Sequence, residues 1–110
     1  MPLLSEGTGK PLPVAEACAL DADGAREQGS RYRQLSRQAI AVTRSPRSLG
    51  VRFSPEVDRN LLVEAVAVER GCCSFLTIHH DPDALTLTIE VDEQRLVPAL
   101  DAIESALRGR

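Results

Sequence analysis

The sequence predicts an α+β domain: three helices packed as one layer on a small sheet of three or four strands, in the order (β)αβαββα. Three observations carry this. Leu85, Leu87, Ile89 and Val91 alternate with Thr86, Thr88 and Glu90, the period of a half-buried strand. Val57, Leu61, Ala65, Val68 and Cys72 recur at helical spacing, with Leu62 and Val66 widening the stripe. Between the first helical region and that stripe, Leu49, Val51 and Phe53 alternate again.

The remaining elements follow in chain order. Residues 1–13 mix Pro2, Gly7, Gly9, Pro11 and Pro13 with small polar residues, which predicts a flexible tail before a single domain over 14–110. Val14 to Leu20, containing Cys18, is the optional first strand. Asp21-Ala22-Asp23-Gly24 is a turn, and a helix is expected from Ala25 to Thr43, its apolar face formed by Tyr32, Leu35, Ala39 and Val42. Residues 44–48 form a loop. Ser54-Pro55-Glu56 marks a helix start: an N-cap acceptor, a proline suited to the first helical position and a carboxylate for the positive end of the dipole. Gly71 suits the end of that helix. A hairpin follows from Phe75, turning at Asp81-Pro82-Asp83-Ala84. Asp92 is expected to cap a last helix bearing Leu96, Leu100, Ile103 and Leu107, with its first turn distorted or delayed by Pro98.

Composition narrows the function. The chain has 110 residues, long enough for one core without staples. Aromatic residues make up 3% and Trp is absent, which removes the stacking platforms used on single-stranded nucleic acid. A net charge of −3 argues against general nucleic-acid affinity. No apolar stretch reaches membrane length. Neither a phosphate loop nor a dinucleotide fingerprint is present, so no nucleotide cofactor is expected. Arg26, Arg31, Arg33, Arg37, Arg44, Arg47 and Arg52 crowd one stretch opposed only by Glu27. Arg33 and Arg37 are the candidates for binding a small anionic molecule, because guanidinium suits carboxylate and phosphate. The alternative is a solvated helix face.

The unusual feature is Cys72-Cys73. Three cysteines cannot all pair within one chain, and no secretory leader is evident at Met1-Pro2-Leu3-Leu4, so free thiols in a reducing cytoplasm are expected. Neighbouring Cα atoms lie only about 3.8 Å apart, too close for an unstrained disulfide. Glu69 precedes the pair by three and four residues, on the same side of a helix as both. A carboxylate and a helix C-terminus both raise a thiol's pKa, the reverse of the setting that activates nucleophilic cysteines. Coordination by a thiophilic cation deprotonates a thiol outright. Cys18, Cys72 and Cys73 are therefore candidate ligands for a soft metal or metalloid ion, with His80 as a fourth ligand for Cu(I) or Zn(II). His79 and His80 point to opposite faces of a strand, and His80 shares the face of Leu76 and Ile78. Buried, purely structural cysteines explain the same residues, since Cys72 continues an apolar stripe.

Cys18-Ala19-Leu20, the arginines from Arg31 to Arg37, and Glu69-Arg70-Gly71-Cys72-Cys73-Ser74-Phe75 together resemble a group of short bacterial proteins of unassigned function. The resemblance spans about residues 16–108. Tyr32 or Leu35 stands where members of that group carry Trp. It implies that Cys18, Glu69 and the cysteine pair form one recurring pattern, and it brings no activity with it.

Three readings follow. One is capture of a soft ion by the three thiols. Another is a small enzyme using Cys72 or Cys73, with Glu69 beside it and an arginine-lined anion site; whether the chain is an enzyme is left open. The third is an interaction domain with core cysteines, pairing with a second copy through an edge strand at Leu49–Phe53 or Leu85–Val91.

Overall fold

The structure is a computed structural model and describes residues 22–72 and 75–109, with Cys72 described in its backbone only. The tail expected over 1–13, the strand expected over 14–20, Cys18 and Cys73 lie outside the described residues. The order is α1 (Ala22–Ser36), β1 (Ala39–Ser45), β2 (Ser48–Phe53), α2 (Arg59–Cys72), β3 (Leu76–Asp81), β4 (Thr86–Val91), a 3-10 turn (Gln94–Leu96) and α3 (Val97–Leu107). The strands form one antiparallel sheet in the order β1-β2-β4-β3. The α+β class, with three helices and four strands, is as the sequence predicts.

The strand alternation works as expected. Leu49, Val51 and Phe53 on β2 and Leu87, Ile89 and Val91 on β4 are buried beneath the helices. Their neighbours Gly50, Arg52, Thr86, Thr88 and Glu90 face outward, in registered rows such as Arg52–Thr86–Asp81. α2 rests on β3 and α3 on the middle of the sheet, while α1 packs chiefly against α2 and α3. Leu62, Leu100, Ile103 and Leu107 fill the space between helices and sheet.

The first helix is shorter than expected, ending at Ser36 rather than Thr43. Its last turn tightens through bonds from Arg37 N to Gln34 O and Gln38 N to Leu35 O. The β-branched Val42 and Thr43 then pair with β2, with Ile40 at an irregularity in the register, a stronger demand than the helical spacing that Ala39 and Val42 happen to continue. The expected loop at 44–48 shrinks to the Pro46-Arg47 turn of a tight hairpin, with Ser45 opposite Ser48. The fourth strand is thus β1, at the sheet edge. Leu49–Phe53 and Leu85–Val91, expected as edges for a second copy, belong to the central strands; β1 and β3 are the edges.

Two helix starts also differ. Ser54 heads a turn, its carbonyl accepting from Val57 N, and α2 begins at Arg59 with the Asp58 carboxylate accepting from Leu61 N. Asp92 does not cap the last helix; its carbonyl accepts from Arg47. The chain enters α3 through the 3-10 turn, with Pro98 in the first helical turn, where no backbone donor is needed. Among the described residues no helix is long and apolar enough to cross a membrane.

Candidate functional site

The site begins with polar residues in apolar positions. α2 buries Leu62, Ala65, Val66 and Glu69, the i, i+3, i+4, i+7 stripe of a core-facing helix. α1 buries Gln28, Tyr32 and Leu35, another such stripe. Each stripe therefore places polar groups where water cannot reach them, and such groups must satisfy one another.

They do so across the α1–α2 interface. Glu69 is 2% exposed. Its Oε1 accepts from the Tyr32 hydroxyl at 2.5 Å and from Gln28 Nε2 at 3.1 Å. Gln28 Nε2 also donates to the Ala65 carbonyl at 2.8 Å. Arg31 donates to Gln28 Oε1 at 2.9 Å and pairs with Glu64 at 3.5 Å. With its oxygen engaged by Arg31, the Gln28 amide has its NH2 end left for Glu69. Burial, followed by the charge of Glu69 and the bond to it, pushes the Tyr32 phenol well above its ordinary value. Tyr32 therefore stays a donor. Among the described residues no cation contacts Glu69; the nearest guanidinium in this network, Arg31, acts through Gln28.

One helical turn beyond Glu69, α2 ends at Cys72. The side chain of Cys72, together with Cys73 and Cys18, lies outside what the structure describes. Arg70 in the same last turn donates to the Ile78 carbonyl at 3.0 Å and ties this helix end to β3.

The other candidate residues are spread apart. His80 shares the buried face of Leu76 and Ile78, as the pleat predicts, while His79 is exposed and lies 3.8 Å from Glu90. His80 sits four residues beyond Leu76, about 13 Å along the strand at ordinary strand rise. Among the described residues its buried Nε2 has no hydrogen-bond partner. Burial and the nearby Arg70 charge lower its pKa, against a smaller opposing pull from Asp81. Arg33 and Arg37 are exposed at the C-terminal end of α1. Among the described residues no group of three or more His, Cys, Asp or Glu side chains is arranged to hold a metal ion.

Sequence reasoning singled out Glu69 for its spacing to the cysteines and missed Gln28 and Tyr32. The signal was present: Gln28 and Tyr32 stand at i and i+4 in line with Leu35, and Glu69 stands seven residues after Leu62. Compared with known proteins, the chain matches no family model, no curated protein and no solved structure.

Proposed function

We propose that the chain captures a soft metal or metalloid ion through the thiolates of Cys18, Cys72 and Cys73. The observation that carries this reading is the carboxylate of Glu69, buried one turn before Cys72 and held by neutral donors with no cation against it among the described residues. A buried negative charge and the negative end of α2 both oppose a free thiolate nearby. Both favour a cation bound at the thiols, because Arg31 reaches Glu69 only through Gln28 and among the described residues no cation contacts that carboxylate directly. The same environment weakens the enzyme reading, since an unaided nucleophile needs the opposite field. Three soft sulfurs suit Hg(II), As(III) or Cu(I), and a reducing cytoplasm keeps them free to bind.

Native mass spectrometry of the reduced full chain, offered Hg(II), As(III), Cu(I) and Zn(II) in turn, tests this. One ion retained by the wild type and lost in Cys72→Ser/Cys73→Ser is expected. No retained ion, or retention unchanged in that variant, sinks the reading.

A further inference from the structure

The two edges of the sheet differ. On β3, Arg70 donates to the Ile78 carbonyl at 3.0 Å, and His79, His80 and Asp81 are polar or charged. Such side chains on an edge strand discourage pairing with another chain. β1 begins Ala39-Ile40-Ala41-Val42-Thr43, small, apolar or β-branched, and Ile40 is 54% exposed. The register shift between Ala39 and Ala41 leaves Ile40 outside the ladder with β2. Beyond Ala41 the pairing is regular.

The hairpin fixes which backbone groups of β1 face outward. Ser45 stands opposite Ser48 across a two-residue turn, and antiparallel pairs alternate between bonded and unbonded. Thr43 therefore bonds to β2, while Val42 and Arg44 turn their N–H and C=O groups away from it. Arg108 Nη2 approaches the Val42 carbonyl from that outer side, at a long 3.5 Å. Among the described residues no strand pairs there. Beside the edge runs an open groove of about 420 Å³, walled by Ala39, Ile40, Val42 and Leu107, with Ser36 and Arg108 adding polar groups.

Charge selects the occupant. Arg37, two residues before β1, is exposed. On the neighbouring α3, Asp101 and Glu104 are already held by Arg44 and Arg108. Arg37, Arg44 and Arg108 thus set three positive charges against two negative ones along this edge. A second copy fits poorly. Two-fold antiparallel pairing about Val42, the middle of β1, sets Arg37 of each copy opposite Arg47 of the other, and like charges placed opposite are destabilising. We infer that the β1 edge is a docking site for an extended segment of a partner protein, apolar along its length and acidic where it meets Arg37 and Arg108, added as a fifth strand. Its backbone bonds to Val42 and Arg44, and one apolar side chain enters the groove against Ile40 and Leu107. This surface is independent of the ion-capture reading.

The test is hydrogen exchange of the full chain, alone and with synthetic peptides, with affinities from calorimetric titration. The first peptide alternates Val and Thr, matches β1 in length and carries Glu at both ends. A second carries Lys at both ends, and a third is the Glu-ended peptide N-methylated throughout, which has no backbone donors. The Glu-ended peptide should bind saturably and slow exchange of the Val42 and Arg44 amides by about tenfold. The Lys-ended peptide should bind about tenfold more weakly, as should the Glu-ended peptide to Arg37→Glu. The N-methylated peptide should not bind. Failure of the Glu-ended peptide to bind, or equal binding after N-methylation, overturns the docking site. Equal binding of the Glu-ended and Lys-ended peptides overturns the acidic partner. Val42 and Arg44 amides already slow to exchange in the chain alone would overturn it too. Sedimentation then distinguishes a second copy on the edge, seen as a dimer, from a segment of the same chain, seen as a monomer.

Discussion

The Tyr32 hydroxyl donates to Glu69 Oε1 at 2.5 Å across the interface between the first and second helices, and both residues occupy core positions of their own helices. Each makes the other tolerable in the interior. A buried carboxylate without donors would be expelled or neutralised, and a buried phenol without an acceptor would lose a bond that water had supplied.

Tyr32→Phe keeps the ring and removes the donor. The carboxylate then depends on Gln28, so a loss of about 1.5–3 kcal/mol is expected, the range for bonds to charged groups. Urea unfolding at pH 7 measures it. A wild-type stability matched by the variant would mean that the contact contributes nothing. The alkaline limb gives a second readout. Above a pH of about 10 the unfolded chain loses the phenolic proton while the folded chain, with its raised value, keeps it. The unfolded state then binds fewer protons, and wild-type stability falls as pH rises. In Tyr32→Phe that part of the fall should vanish.

The edge strand β1 is tied to α3 by a second network. Arg44 Nη1 lies 2.7 Å from both Asp101 and Glu104, and Arg108 Nε lies 2.9 Å from Glu104. Burial alone would raise the Glu104 carboxyl, but hydrogen bonds from Arg108 and Arg44 outweigh it and hold the value below the ordinary carboxylate range. A depressed carboxylate stabilises the fold fully above its unfolded value and loses that contribution as pH falls through the folded one. Arg44→Met should therefore cost about 1 kcal/mol at pH 7, and the difference from wild type should shrink below about pH 4. Denaturation at pH 7 and pH 3 checks this; a pH-independent difference would assign the effect to packing of the arginine stem instead.

His80 presents the opposite case, a half-buried imidazole whose shielded Nε2 has no hydrogen-bond partner among the described residues. Its lowered pKa means that between the folded value and the unfolded value near 6.5 the unfolded chain binds a proton that the folded chain refuses. Stability should thus fall as pH drops below about 6.5. His80→Leu removes both the unpartnered Nε2 and the titration. The variant should match or exceed wild-type stability at pH 7 and gain on it at pH 5. Calorimetry at the two pH values decides; a variant weaker at both would show that the imidazole has a partner.

The parts of this fold most legible in the chain are those where one period dominates. Leu85 to Val91 alternates without interruption, and the Asp81 side chain closes the turn before it by accepting from Asp83 N and Ala84 N. The end of α1 is obscured because Ala39 and Val42 fit a helical and an extended spacing at once. What decides between them is the pairing with β2 through the hairpin turn at Pro46-Arg47, a cross-strand contact that helical or extended spacing within the segment does not report. The polar cluster is obscured for a related reason. Gln28 looks like an ordinary surface residue of an arginine-rich helix, and Tyr32 like one more apolar residue on its inner face, until Glu69, 37 residues beyond Tyr32, is known to face them. Glu69 itself is recognisable from its spacing to the cysteines, but that spacing does not reveal that its carboxylate turns toward α1.

Gly50 supplies a last test, on the open face of the sheet. A Cβ built there would lie 2.8 Å from Thr43 Oγ1 on the neighbouring strand, closer than such contacts occur. The glycine is therefore needed for the approach of the Thr43 side chain, although a glycine in a strand interior is normally a liability. Gly50→Ala alone should destabilise the protein by about 1 kcal/mol, through a shifted Thr43 rotamer and weakened β1–β2 pairing. Thr43→Ala removes the clash. The double variant Thr43→Ala/Gly50→Ala should then recover the loss, and the reduced freedom of the unfolded chain adds a few tenths of a kcal/mol in its favour. A double-mutant cycle by urea unfolding measures the coupling directly. Additive effects of the two substitutions would show that Thr43 is not what the glycine accommodates.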